Sequence, residues 1–188
     1  MSPNKAPQSP KLSVGITSVL KETLFGASVA PMKYQLVFWL VASVGFAADL
    51  YSKSAVFSRL DQFETVRLIK GFLRLVAVQN AGAAFGIAQG QRWLLVSLSV
   101  VALVVVIFVF LFAGVRRELT VVALGLFAGG VSGNLYDRIF NHGLVRDFID
   151  VTYWPGRHWP AFNFADAMLC TAVGLLILSV LKDASRKK

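Results

Sequence analysis

The sequence predicts an all-α polytopic membrane protein: four transmembrane helices with a small sheet or hairpin outside the membrane. Three observations carry this. Of its 188 residues 56% are hydrophobic and 15% charged, with a mean hydropathy of +0.64, whereas soluble domains carry about 25% charged residues. Several long apolar runs interrupt the chain. The basic residues sit in the N-terminal tail, one short loop and the C-terminus, where in a membrane protein they report topology. The net charge of +9 is therefore not read as a nucleic-acid footprint, since no soluble face gathers it.

Residues 1–33 form a polar, mixed tail with Lys5, Lys11, Lys21 and Lys33, expected to be cytoplasmic. The first ten residues read as disordered. Leu12–Ala30 fits either an interfacial amphipathic helix or an unstructured tail. No cleavable signal peptide is expected, because its apolar core would lie nearer the start. The membrane domain is expected over residues 34–181. The first span is Tyr34–Tyr51, about 18 residues and just long enough to cross. Asp49 and Lys53 lie i,i+4 on one helical face at its end. They read either as an interfacial ion pair or as a polar cluster aimed at a site.

Residues 54–91 mix charge with a β-branched, partly alternating run, Thr65–Val78, which predicts a small sheet or hairpin outside the membrane. It closes on Asn80-Ala-Gly-Ala-Ala-Phe-Gly86, whose small residues suit close backbone approach. Trp93–Gly114 is the second span and Leu119–Tyr136 the third. Gly125, Gly129 and Gly133 recur every four residues on one face, a helix-packing pattern. Asp137 and Arg138 are adjacent and would not face each other on a helix, so no salt bridge is expected between them. The stretch 139–160 reads as a loop with an aromatic belt of Tyr153, Trp154 and Trp159. The fourth span is about Trp159–Leu181, and 182–188 is a basic cytoplasmic tail. Cys170, the only cysteine, reads as a packed helix residue.

Four spans put both termini on one side, and the positive-inside rule makes that side cytoplasmic. Asp49, Asn80, Asn134, Asp137, Arg138, Asp147, Asn163 and Asp166 then converge near the opposite interface. Four of the ten acidic residues lie between Gly129 and Asp166, and ionisable groups at membrane depth are functional by default. No Walker loop, serine–histidine pair or His/Cys ligand set accompanies them. Two close carboxylates can share a proton, one activating water and the other donating to a scissile carbonyl. The competing readings are a carboxylate relay in a small transporter and a scaffolding protein.

The ordered motifs Asp49-x-x-x-Lys53, Asn80-x-Gly-Ala-Ala-Phe-Gly86, Gly129-Gly-x-x-Gly-Asn134-x-x-Asp137-Arg138, Val145-x-Asp147-Phe-Ile and Phe162-Asn163-x-Ala-Asp166 resemble lipoprotein signal peptidase, or signal peptidase II. That family comprises bacterial intramembrane aspartic peptidases, and the resemblance covers about residues 34–181. It implies that Asp147 and Asp166 are the catalytic aspartates, with Asp150 outside the dyad. It implies that Asn80, Asn134, Arg138 and Asn163 shape the pocket and contact substrate, and that Asp49, with Lys53, lines the site. Gly130 and Asp137, inside the third motif, are grouped with these substrate-binding positions. It further implies an extracytoplasmic β-cradle at 54–91, a short periplasmic helix or loop within 139–160, and neither metal nor cofactor. The expected substrates are diacylglyceryl-modified prolipoproteins, cut just before the lipidated cysteine. The enzyme is expected to be a monomer in the inner membrane, in contact with lipid and not with nucleic acid, its site near the periplasmic face. Three departures stand out: the long N-terminal extension, Leu50 after the first aspartate, and Arg146 beside Asp147. A cation there should favour ionised Asp147.

Overall fold

A computed structural model of the chain describes residues 29–61, 64–83 and 86–186. Most of the N-terminal tail, with its proposed amphipathic segment, therefore lies outside the described residues, as do Ala84 and Phe85 of the small-residue run. Among the described residues, four helices are long and apolar enough to cross a membrane. They are α1 (Met32–Phe57), α2 (Arg92–Phe112), α3 (Glu118–Phe140) and α4 (Phe164–Arg186). Between α1 and α2 lie strands β1 (Thr65–Ile69) and β2 (Leu73–Asn80), and between α3 and α4 lie β3 (Val145–Trp154) and β4 (Arg157–His158).

The first helix outruns its apolar segment. No glycine or proline stops it after Tyr51, so Ser52–Phe57 continue the helix and carry Lys53 inside it. Its buried residues Phe38, Ala42, Gly45, Asp49 and Lys53 recur every three or four positions, so one stripe faces the bundle and ends in two charges. The third helix is central: 61% of its apolar window is buried, against 17% for α1 and α2 and 22% for α4. Its glycines make that possible. A methyl group at Gly125 or Gly129 would stand 3.0 Å from the Phe38 carbonyl oxygen or 2.9 Å from that of Ala42, and one at Gly133 would meet the Asp49 carboxylate. Gly130 faces the other way, where a methyl would lie 2.8 Å from the Ala165 carbonyl oxygen of α4. Away from the sheet, Phe38 stacks on Phe110 at 4.0 Å beside Val121, Leu124 and Ala128.

The strands form one antiparallel sheet in the order β1-β2-β3-β4. The register sets Arg74 opposite Asp150, Val78 opposite Asp147 and Asn80 opposite Val145, with an irregularity between Leu75 and Val78. Two expectations need correction. The stretch 139–160 is neither a loop nor a short helix at its centre, because Val145–Trp154 is a ten-residue strand. Its β-branched and aromatic residues favour an extended chain, and β2 supplies the partner. The last helix begins at Phe164 and not near Trp159. The residues before it are held extended on β3, with Trp159 N–H donating to Val151 O at 2.8 Å and Phe162 N–H to Ile149 O at 3.0 Å. Pro160 suits this extended entry and could not sit inside a helix.

Candidate active site

Asp147 sits on β3 and Asp166 in the first turn of α4. The start of α4 explains the second placement. Asn163 precedes the helix and Asp166 is its third residue. Asn163 Oδ1 accepts from Asp166 N–H at 3.0 Å, while Asp166 Oδ2 accepts from Asn163 N–H at 3.2 Å. This reciprocal box satisfies two otherwise orphaned donors. A third helix-end donor, Ala165 N–H, goes to Asp49 Oδ1 at 2.8 Å. The last helix therefore starts on one carboxylate of its own and one from α1.

Three asparagine amides connect the elements, and each has its orientation fixed by its neighbours. Asn80 Oδ1 accepts Gly82 N–H at 2.9 Å, so Nδ2 faces Asp147 Oδ2 at 3.0 Å. Asn163 Nδ2 donates to Asp147 Oδ1 at 2.7 Å and to Asn134 Oδ1 at 3.1 Å. Asn134 Oδ1 also accepts from Lys53 Nζ at 3.0 Å, and its Nδ2 donates to Asp166 Oδ1 at 2.8 Å. An ammonium can only donate, so Lys53 decides which end of the Asn134 amide reaches Asp166.

Behind these amides lies a buried charge cluster. Lys53 Nζ is 2.7 Å from Asp49 Oδ2 and 3.4 Å from Asp137 Oδ2, with all three side chains fully buried. Asp137 is also held by Arg146, at 2.7 Å from NH2 to Oδ1 and 3.0 Å from the backbone N–H to Oδ2. Arg138 turns elsewhere, its NH2 donating to Gly82 O at 3.1 Å. The adjacent Asp137 and Arg138 thus serve different partners, as their helical spacing requires.

A cleft of about 850 Å³ opens over the two aspartates. Asn80, Asn134, Arg138, Asp147 and Asp166 line it, with Val78, Trp159, Phe162 and Leu169 among its apolar walls. The remaining expected site residues stand behind this layer. Asp49, Lys53, Asp137 and Asn163 are fully buried and support the lining side chains, and Gly130 packs against α4.

Asp147 is 2% exposed. Burial, followed by the nearby Asp166 charge, pushes its carboxyl up to about 7, despite the opposing hydrogen bonds from Asn80 and Asn163. The expectation that Arg146 holds Asp147 ionised is corrected here. Successive side chains on a strand point to opposite faces, so Arg146 turns away to Asp137. Asp150 occupies a different environment. Burial alone would raise it, but hydrogen bonds from Arg74 (2.7 Å) and His158 (2.8 Å) outweigh that and leave it below the usual carboxylate range. Its partners are apart from Asp147 and Asp166.

Sequence reasoning missed the apolar wall from the segment after β4, Trp159 to Phe162, and it missed Arg92. That arginine donates from Nε to Arg138 O at 3.0 Å and from NH2 to Ile139 O at 2.8 Å, satisfying carbonyls that the end of α3 leaves open. The available signal was a lone arginine opening an apolar run. Among the described residues, no group of three or more His, Cys, Asp or Glu side chains is arranged to hold a metal.

A bundle of helices long and apolar enough to span a membrane, with two carboxylates held by amides in an open cleft, fits a membrane hydrolase of the paired-aspartate kind. The comparisons make this specific. The family described as "Signal peptidase (SPase) II" matches residues 41–182, and the chain belongs to that family of peptidases. A lipoprotein signal peptidase of Halalkalibacterium halodurans is 33% identical over 153 residues, which cover 81% of this chain and 97% of the relative. One from Syntrophotalea carbinolica is 37% identical over 150 residues, covering 78% and 92%. A solved structure described as a bacterial membrane enzyme superposes with a TM-score of 0.74 at 28% identity, covering 86% of this chain and 96% of its own. The protein is accordingly a bacterial membrane protein.

Proposed function

We propose that this chain removes the signal peptide from diacylglyceryl-modified prolipoproteins, cutting just before the lipidated cysteine, with Asp147 and Asp166 as the catalytic pair. The single observation that carries the proposal is the cleft itself. It joins two differently held carboxylates to an apolar wall within one space of about 850 Å³. In this reading Asp147, buried and raised to about 7, supplies the proton to the scissile carbonyl. Asp166, at a helix start and accepting from Asn134 and Asn163, takes the proton from the attacking water. Two carboxylates in unlike environments divide acid and base roles in this way. Arg138 lines the cleft, and its buried Nε has no partner among the described residues.

The substrate is itself a membrane segment, so the cut site belongs where water and lipid meet. We place the sheet and the cleft at the periplasmic interface of the inner membrane and both termini in the cytoplasm, on the charge distribution of the sequence. The chain works as a monomer, without cofactor. Asn80, Asn134 and Arg138 contact substrate, while Asp49, Lys53, Gly130, Asp137 and Asn163 shape the pocket from behind. Family membership weighs against the transporter reading. The test is a reconstituted reaction with one prolipoprotein, with and without the diacylglyceryl group. We expect only the lipidated form to be cut, giving a product that begins at the modified cysteine. Equal cutting of both forms, or a cut elsewhere, would contradict the proposal.

A further inference from the structure

We infer that Arg146 is a positioning residue for the catalytic pair, acting through Asp137, Lys53 and Asn134, and this rests on the peptidase reading above. The geometry makes one continuous path. Arg146 grips Asp137 with Nε and NH2 on Oδ1 at 3.1 and 2.7 Å and with its backbone N–H on Oδ2 at 3.0 Å. Asp137 Oδ2 stands 3.4 Å from Lys53 Nζ, Lys53 donates to Asn134 Oδ1 at 3.0 Å, and Asn134 Nδ2 donates to Asp166 Oδ1 at 2.8 Å. The same grip pins β3 to α3 one residue before Asp147. A single side chain therefore bears on both aspartates.

Arg146 does not reach the reaction directly. It lies outside the large cleft and borders a separate cavity of about 280 Å³, together with Leu50, Ser54, Tyr136 and Asp137. The charged groups around Asp137 come from α1 (Asp49, Lys53), from α3 itself (Arg138) and from β3 (Arg146). Two carboxylates, Asp49 and Asp137, compete for the one ammonium of Lys53. Arg146 neutralises one of them, which leaves Lys53 free to hold Asn134. Without Arg146 the Asp137 charge draws Lys53 toward itself. The Asn134 amide is then held on Oδ1 by Asn163 alone, and its hold on Asp166 loosens.

The test uses R146A, R146K and D137N, alone and combined, in detergent-purified full-length protein with lipidated prolipoprotein. Misplacement by about 1 Å can cost 100-fold, so R146A should lower kcat at least about tenfold with KM nearly unchanged, and R146K should recover part of the loss. Loosening a donor disfavours an ionised carboxylate, so the acid limb of the kcat/KM profile should move to higher pH. In the D137N background, where there is no charge to neutralise, adding R146A should cost less than about twofold. The unfolding midpoint provides a reading independent of turnover: R146A should lower it, and D137N/R146A should recover it. Activity of R146A within twofold of wild type would overturn the inference. So would a loss of kcat with an unmoved acid limb and no recovery in D137N. Absence of the coupling in unfolding would overturn it even if the wild type cut nothing, a failure that would count instead against the peptidase reading.

Discussion

Asp147→Asn should change the stability of the protein with a sign that depends on pH. In the folded chain the carboxyl is raised from 3.8 to about 7, so between those values the folded state holds a proton that the unfolded state has released. Wild-type stability therefore falls as pH rises through this window. Above it, the buried charge costs the fold on the order of 4 kcal/mol, from about three units at 1.36 kcal/mol each. Asparagine removes that cost. It also presents an NH₂ where both present partners, Asn80 Nδ2 and Asn163 Nδ2, are donors, so one hydrogen bond is lost at about 1–3 kcal/mol. The variant should thus be more stable than wild type by about 1–3 kcal/mol at pH 8, a few degrees in midpoint, and less stable at pH 4. Thermal unfolding of both proteins in one detergent between pH 4 and 9 reads the crossover. A difference that does not change with pH would refute the reasoning.

Other perturbations follow from the same geometry. Lys53→Met leaves the buried Asp49 carboxylate without its cation, while Asp137 keeps Arg146, and should cost about 3–5 kcal/mol; denaturant unfolding reads it, and D49N in addition should restore part of the loss. Gly133→Ala puts a methyl against the Asp49 carboxylate and should destabilise by about 1–3 kcal/mol through overpacking, whereas alanine at Gly86, with no atom within 4 Å but a φ of +74°, is strained through its backbone alone. Asn163→Ala removes the cap of α4 and the tether to Asp147 together, so turnover in the prolipoprotein assay should fall about 100-fold or more, with about 1 kcal/mol of stability lost at the helix start.

Much of this was legible in the chain. The spans follow from uninterrupted apolar runs, and the packing role of Gly125, Gly129 and Gly133 follows from a period of four. The convergence of Asn80, Asn134, Asp147, Asn163 and Asp166 follows from counting crossings. What stayed hidden depends on contacts between distant residues. Val145–Trp154 carries strand-forming residues, but its pairing with Leu73–Asn80 spans some seventy positions, and flanking aromatics and prolines suggested a loop. The layering of the site was equally hidden. Sequence spacing groups Asp49, Lys53, Asp137 and Arg138 as equals, yet only Arg138 lines the cleft, because α1 and α3 bury the other three against each other. Arg146 was misread for the same reason. Adjacency to Asp147 in sequence suggested an electrostatic partner, and the strand's alternation sends it to Asp137.

The central claim is that Asp147 and Asp166 act together as the catalytic pair. The most direct measurement is the processing rate of one lipidated prolipoprotein by wild type, D147N and D166N, each shown to be folded and inserted, read by the mobility shift of the substrate. Members of a catalytic unit are not additive, so each single variant should abolish processing by at least about 1000-fold, as should the double variant. Processing by D147N or D166N at a rate near wild type would contradict the account.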